Sequence, residues 1–167
     1  MAVWQLADGT SKVSQFTTIS EDGTLYLGLG QSAGTIIVKG GEESDVLGTA
    51  TVTCVVENVV TSPENILANN SASGSRQITI KVGDRNVTGG TWTLEKTHST
   101  EIASDTKVSS TGVVSWTTKQ QSGQIGVKWT KDGVTKTIPV VFKKSSIKIS
   151  PSTVTVKNGD TQKFTIS

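Results

Sequence analysis

The chain has 167 residues, with 16 Lys and Arg against 14 Asp and Glu, one His and one Cys. That length suggests one or two domains, and a net charge of +2 spread over scattered cations offers no phosphate-tracking surface, so no nucleic-acid partner is expected. No stretch approaches the ~20 apolar residues that span a bilayer, so no membrane insertion is expected; the lone Cys54 excludes an intrachain disulfide, and one His with one Cys cannot build an ordinary zinc site.

The opening MAVWQLADGT has no basic n-region, apolar h-region or small-residue cleavage site, and reads as lacking a signal peptide. Short alternating runs separated by Gly, Asp, Asn and Ser predict strands, and no segment carries a helical period. The first stretch predicts strands at Val3–Ala7, Gln15–Ile19, Thr24–Gly28, Gly34–Lys39 and Gly48–Glu57. Turns are expected at Asp8-Gly9, Asp22-Gly23 and Gly40-Gly41. Cys54 lies in the alternating run GTATVTCVV and reads as a buried structural thiol. Residues 1–57 form this first unit, and residues 58–63 read as a linker ending at Pro63, which has no N–H to pair.

Residues 64–144 read as a complete second unit. Its strands are expected near Asn65–Ala68, Arg76–Val82, Gly90–Lys96, Glu101–Val108, Val113–Thr118, Gly123–Lys131 and Val134–Phe142. Asp132-Gly133 is a two-residue hairpin signal, because both central positions of a type I′ turn take positive φ. Short strands at this density are the signature of an immunoglobulin-like sandwich. Residues 145–167 add two strands around Asn158-Gly159-Asp160, too few to bury a core.

The units repeat. Trp4 and Trp92 are 88 positions apart; Gly23 and Gly112, Gly34 and Gly123, Ile36 and Ile125, and Val38 and Val127 are 89 apart. Ile78 to Phe164 and Ile80 to Ile166 are each 86. Such periodicity marks an array of modules. The first unit lacks the two opening strands of the module, and the final stretch supplies two such strands.

SIKISPSTVTVKNGDTQKFTIS resembles the opening of a bacterial immunoglobulin-like domain of group 2. VWQLADGTSKVSQFTTISEDGTLYLGLGQSAGTIIVKG followed by GTATVTCVV resembles its closing two-thirds, through Trp4, Ile19, Asp22-Gly23-Thr24-Leu25 and Ala33-Gly34-Thr35-Ile36. The middle unit matches more loosely, through Trp92, Gly112-Val113 and Gly123-Gln124-Ile125, with Gln121-Ser122-Gly123 where the family has Ala-Gly-Thr. The resemblance implies an all-β fold of tandem immunoglobulin-like β-sandwiches, one complete and one split between the two chain ends. It implies the setting of such modules: intimin- and invasin-like adhesins, other bacterial surface proteins and bacteriophage virions. One fold carries many roles, so function must come from the residues.

Those residues offer little chemistry. His98 lies in a polar loop with no nucleophile elbow beside it, and no catalytic residue is expected. Glu42, Glu43 and Asp45 lack the Asp/Asn ladder of a calcium loop and read as a solvated turn; no metal and no cofactor is expected. GLGQSAG lies between strands, with no helix to make it a phosphate cradle. Candidate surface-recognition residues are Tyr26, Trp116, Trp129 and His98. Parity favours the core for Trp116, in phase with Val114, and for Trp129, in phase with Ile125 and Val127. Trp4 and Trp92 occupy the strand position where a sandwich buries a ring. Tyr26 is out of phase with Leu25 and Leu27 and is the expected exposed aromatic. Recognition loops are expected at Asn69–Ser75, Asp84–Gly90 and Thr97–Thr100.

The candidate strand-donation segment carries Ile147, Ile149, Val154, Val156, Phe164 and Ile166. An odd strand count puts the two ends of the middle unit at opposite poles, more than ~20 Å apart, which disfavours closure within one chain. Donation to another copy, head-to-tail, and trimming from a longer array both fit the incomplete ends. The expectation is a non-enzymatic structural, display or adhesion module of a bacteriophage virion or bacterial cell surface. Expected partners are copies of itself, neighbouring structural proteins, or a host-surface glycan or protein. The alternative is a carbohydrate-binding accessory module of a secreted bacterial enzyme.

Overall fold

A computed structural model describes residues 2–42, 45–144, 149–150, 153–158 and 161–166. The described residues are all-β, with several sheets and no helix. The first stretch contains β1 (Ala2–Asp8), β2 (Thr18–Ile19), β3 (Leu25–Tyr26), β4 (Gly34–Glu42) and β5 (Asp45–Cys54). One sheet has the order β1-β4-β5, and β2 pairs with β3 as a separate hairpin. Ile36 opposite Val52, and Gly34 opposite Cys54, set the β4–β5 register. Ile36 and Cys54 are the buried residues of these two strands.

The expected turn at Gly40-Gly41 is corrected: both glycines lie inside β4, at a register shift in its ladder with β5. Glycine tolerates the bulge, and the Trp4 ring covers Gly40; a Cβ there would come within 2.8 Å of it. Trp4 itself is 38% exposed, against the expectation of a core ring. It rests on Gly23 and Gly40, with no further layer over it among the described residues.

The second stretch begins earlier than expected. Val59–Ser62, read from sequence as linker, is strand β6 and pairs antiparallel with β9 (Thr79–Val82). Its Val59 is buried, which is why the segment joins the sandwich. After a cis Ser62–Pro63 peptide the chain enters β7 (Ile66–Asn69), in the other sheet. The strand expected at Arg76–Val82 is split at Ile78 into β8 (Gly74–Gln77) and β9, and β10 (Arg85–Val87) extends it as a hairpin. β11 (Thr91–Glu95), β12 (Lys107–Val108), β13 (Val113–Trp116), β14 (Gly123–Lys131) and β15 (Val134–Lys143) complete the unit. One sheet runs β11-β14-β15-β7, with β7 parallel to β15, and the facing one runs β12-β13-β8.

The core between these sheets holds Ile66, Ala68, Ile78, Val114, Trp116, Ile125, Val127, Ile138, Val140 and Phe142. Finally β16 (Ile149–Ser150) pairs antiparallel with β17 (Thr165–Ile166).

Two local devices recur 89 residues apart. Ser20 Oγ accepts from Thr24 N, Gly23 N donates to Ser20 O, and Gly23 has φ 82°. Ser109, Val113 and Gly112 repeat this turn, with φ 83°. A side chain would be strained there and would meet Trp4 or Trp92, so only glycine serves. The second device is a buried glutamine. Gln31 Oε1 accepts from Thr17 Oγ1 and Ser14 N at 2.9 Å, and its Nε2 donates to Lys12 O at 2.8 Å. Gln120 does the same with Thr106 Oγ1, Ala103 N and Glu101 O at 2.8, 3.0 and 2.9 Å. Each amide ties down a long, irregular crossing between two strands whose backbone would otherwise lack partners.

Candidate functional site: the joint between the units

The strongest constellation is not a catalytic cluster but a contact between the two β units. The Asp132-Gly133 turn links β14 to β15, with φ 50° and 78°, the two positive values that the Asp-Gly signal predicts. It points at the first unit. Asp132 Oδ2 accepts from Tyr26 Oη at 2.6 Å and from Leu29 N at 3.3 Å. Phe16 packs against Gly133, where a Cβ would come within 3.0 Å of the ring. Leu29 lies half-buried against a second apolar cluster made by Val59, Ile80, Val82 and Trp129. One hairpin turn therefore makes a charge-assisted hydrogen bond, a backbone bond and apolar packing with the neighbouring unit.

The tyrosine records this geometry. The hydrogen bond to the Asp132 carboxylate, helped by partial burial and by the negative charge, pushes the Tyr26 hydroxyl up to about 12 from an ordinary 10.0. Below the joint lies a cavity of about 130 Å3, lined by Leu27, Leu29, Cys54, Val59 and Val82 among others, with Glu57 and Arg85 at 3.3 Å from one another. Cys54 faces this space as a free, buried thiol. The exposed Glu57–Arg85 pair contributes little to stability.

The sequence candidates separate clearly. Tyr26 is 45% exposed and sits in the joint rather than on a free face. Trp116 and Trp129 are corrected as surface-recognition candidates, because both are buried. Trp116 Nε1 donates to Asn69 O at 3.1 Å, and the ring meets Phe142 edge-on. Trp129 Nε1 donates to Gly89 O at 3.0 Å, and its ring lies 6.3 Å from that of Trp92. With their polar edges satisfied, both rings can be buried without loss. His98 is exposed and bonds only its neighbour Thr97, at 3.2 Å. Glu42 and Asp45 are exposed; Glu43 lies outside the described residues. No group of three His, Cys, Asp or Glu that could hold a metal occurs among the described residues.

The expected recognition loops are partly structural. Asn70 is buried, donating from Nδ2 to Gln120 O at 2.6 Å, and residues 85–87 form β10. Of the strand-donation candidates, Val154, Val156 and Phe164 are exposed. Ile149 and Ile166 lie in β16 and β17, and Ile147 lies outside the described residues.

Sequence reasoning missed Asp132 as a receptor for Tyr26 and missed Leu29 altogether. Asp132 was legible only as a turn residue, since a contact 106 residues away leaves no local pattern. The paired glutamines were findable, because Thr17, Gln31, Thr106 and Gln120 obey the same 89-residue offset as the glycines.

No protein-family model matches the chain, and no curated protein matches it. Among solved structures it is similar to the S-layer protein SbsC. One crystal structure of that protein matches at 16% identity and a TM-score of 0.37, over 89% of this chain and 21% of that one. A structure of SbsC domains 4-9 matches at 16% identity and a TM-score of 0.38, over 90% and 24%. SbsC domains 4 and 5 match at 15% identity and a TM-score of 0.34, over 84% and 70%. The chain thus spans about a fifth of the length of the first of these proteins, and at such distance the likeness carries no function with it.

Proposed function

We propose that this chain is a non-enzymatic structural module, a stiff pair of β-sandwich units that spaces or displays its neighbours on a bacterial cell surface or a bacteriophage particle. The observation that supports the reading is the joint. Adjacent modules move relative to one another by default unless the interface between them is large and apolar. Here Leu29 packs into the second unit's apolar cluster while Asp132 takes a side-chain and a backbone donor from the first. Rigid spacing needs such a weld and needs no catalytic group. The group 2 resemblance belongs to this reading, as does a setting outside the cell or in a virion.

Residual dipolar couplings on the full chain test it. Residues 2–42 and 45–144 are expected to fit one alignment tensor. Two independent tensors would show a free hinge and overturn the spacer reading.

A second reading, carbohydrate binding, has one observation in its favour. A cleft of about 250 Å3 places half-buried Trp92 beside Gln77, Asn86, Thr88, Ser110 and Thr111, a ring with hydroxyl and amide groups around it. Retardation of the chain in polysaccharide gels, lost in Trp92→Ala, would favour that reading; equal mobility with and without polysaccharide would remove it.

A further inference from the structure

We propose that the terminal hairpin of one copy completes the open first unit of a second copy, residues 161–163 lying beside β3 and the Val154–Val156 segment beside β5. The inference rests on the structural reading above and names the partner: another copy of this chain.

The hairpin already has the form of the missing piece. Ile149 pairs with Ile166 and Ser150 with Thr165. In the second unit Thr61 pairs with Ile80 and Ser62 with Thr79. Ser62 and Ser150 each precede a proline, and Ile80 and Ile166 are the repeat partners, so the two ladders share one register. Counted from those serines, Val154 and Val156 stand where Ile66 and Ala68 stand; at the 86-residue offset that relates Ile80 to Ile166, Phe164 stands where Ile78 stands. The second-unit residues are 3%, 4% and 1% exposed; Val154, Val156 and Phe164 are 38%, 51% and 52% exposed. The hairpin therefore presents the core face of a module with nothing described against it.

The first unit presents the opposite half. In the second unit β13 pairs with β8 and β15 pairs with β7. Their repeat counterparts β3 and β5 pair only with β2 and β4 among the described residues. Leu27 stands 89 positions before Trp116 and is 37% exposed where Trp116 is 7%. Two unpaired strand edges flanking an apolar face form a template for added strands.

Geometry selects another copy over the chain's own first unit. The Asp132 turn touches the first unit, and β15 runs 10 residues away from it, a rise of roughly 33 Å. From residue 144 to residue 149 the chain can span at most ~18 Å. The hairpin thus starts at the pole remote from the Asp132 turn. Donation to the next copy is heterologous and repeats head-to-tail, giving a filament, or a ring if the rotation closes.

The test uses the 167-residue chain and two variants that each spoil one face. Phe164→Asp spoils the donor and Leu27→Asp the acceptor. Light scattering after size exclusion is expected to show wild-type mass rising in whole-copy steps with concentration. Each variant alone should stay monomeric, and an equimolar mixture should stop at a dimer, joined by the one intact donor and the one intact acceptor. A synthetic peptide of residues 147–167 added to the Phe164→Asp chain supplies a control independent of how Leu27→Asp folds. It should bind one to one, and its own Phe164→Asp version should not. Wild type that is monomeric throughout, or a peptide that does not bind, overturns the proposal. If such a monomer still fits a single alignment tensor, only the complementation fails and the spacer reading stands.

Discussion

At the residue scale, the chain relies on a few buried polar groups whose partners are all backbone or hydroxyl. Gln120 holds two donors and one carbonyl of the crossing between β11 and β12. Gln120→Ala leaves them unpaired in a closed space, and urea unfolding of the full chain should show a loss of about 1–3 kcal/mol. Gln31→Ala should destabilise the first unit in the same direction, since its bonds are the same. Trp129 is fully buried and bonded at Nε1, so Trp129→Ala should cost about 3–5 kcal/mol by the same measurement. The parity of Trp129 with Ile125 and Val127 made that burial legible in the sequence. Trp4 was not legible in the same way. Its strand position in the sandwich promised a core ring, but residue 40 is Gly where the second unit has Trp129, so the ring lies on a bare backbone and stays half open.

At the element scale, alternation located every long strand, because period-two burial on one face dictates it. Strand β15 is the clearest case, with Ile138, Val140 and Phe142 buried in turn. Two short elements escaped. β10 has three residues and depends on pairing with β9, and β6 was hidden by a proline that closes it. Tertiary pairing decides such segments, and a single strand's sequence does not contain its partner. On β7 burial alternates, with Leu67 71% exposed between buried Ile66 and Ala68. Leu67→Lys should therefore leave the unfolding midpoint within about 0.5 kcal/mol of wild type. Leu29 is different, because its side chain bridges two units. Leu29→Ala should cost about 1–2 kcal/mol and should broaden a joint unfolding transition into two. A single unchanged transition would show that the units do not stabilise each other through this residue.

At the scale of the whole molecule, the repeat was legible and the weld was not. Offsets of 88 and 89 reveal two versions of one module, since each preserved glycine and tryptophan answers a local steric demand. How the versions meet depends on Phe16, Tyr26, Leu29 and Asp132. Of the three first-unit residues, none recurs one module later, where Asp105, Ser115 and Thr118 stand. The joint is thus particular to this pair of units, and a repeat analysis passes over what does not repeat. Its electrostatics make it measurable. The folded-state value of Tyr26 lies above its ordinary one, so the bond's stabilisation is complete below pH 10.0 and is lost as pH rises through about 12.

Tyr26 is the single tyrosine, so ultraviolet absorbance titration near the phenolate band reads this one group in the intact chain. The account predicts a midpoint of about 12, moving back toward 10.0 in Asp132→Ala. A wild-type midpoint at the ordinary value, unmoved by that substitution, would mean that the turn does not hold the first unit and that the stiff pair does not exist.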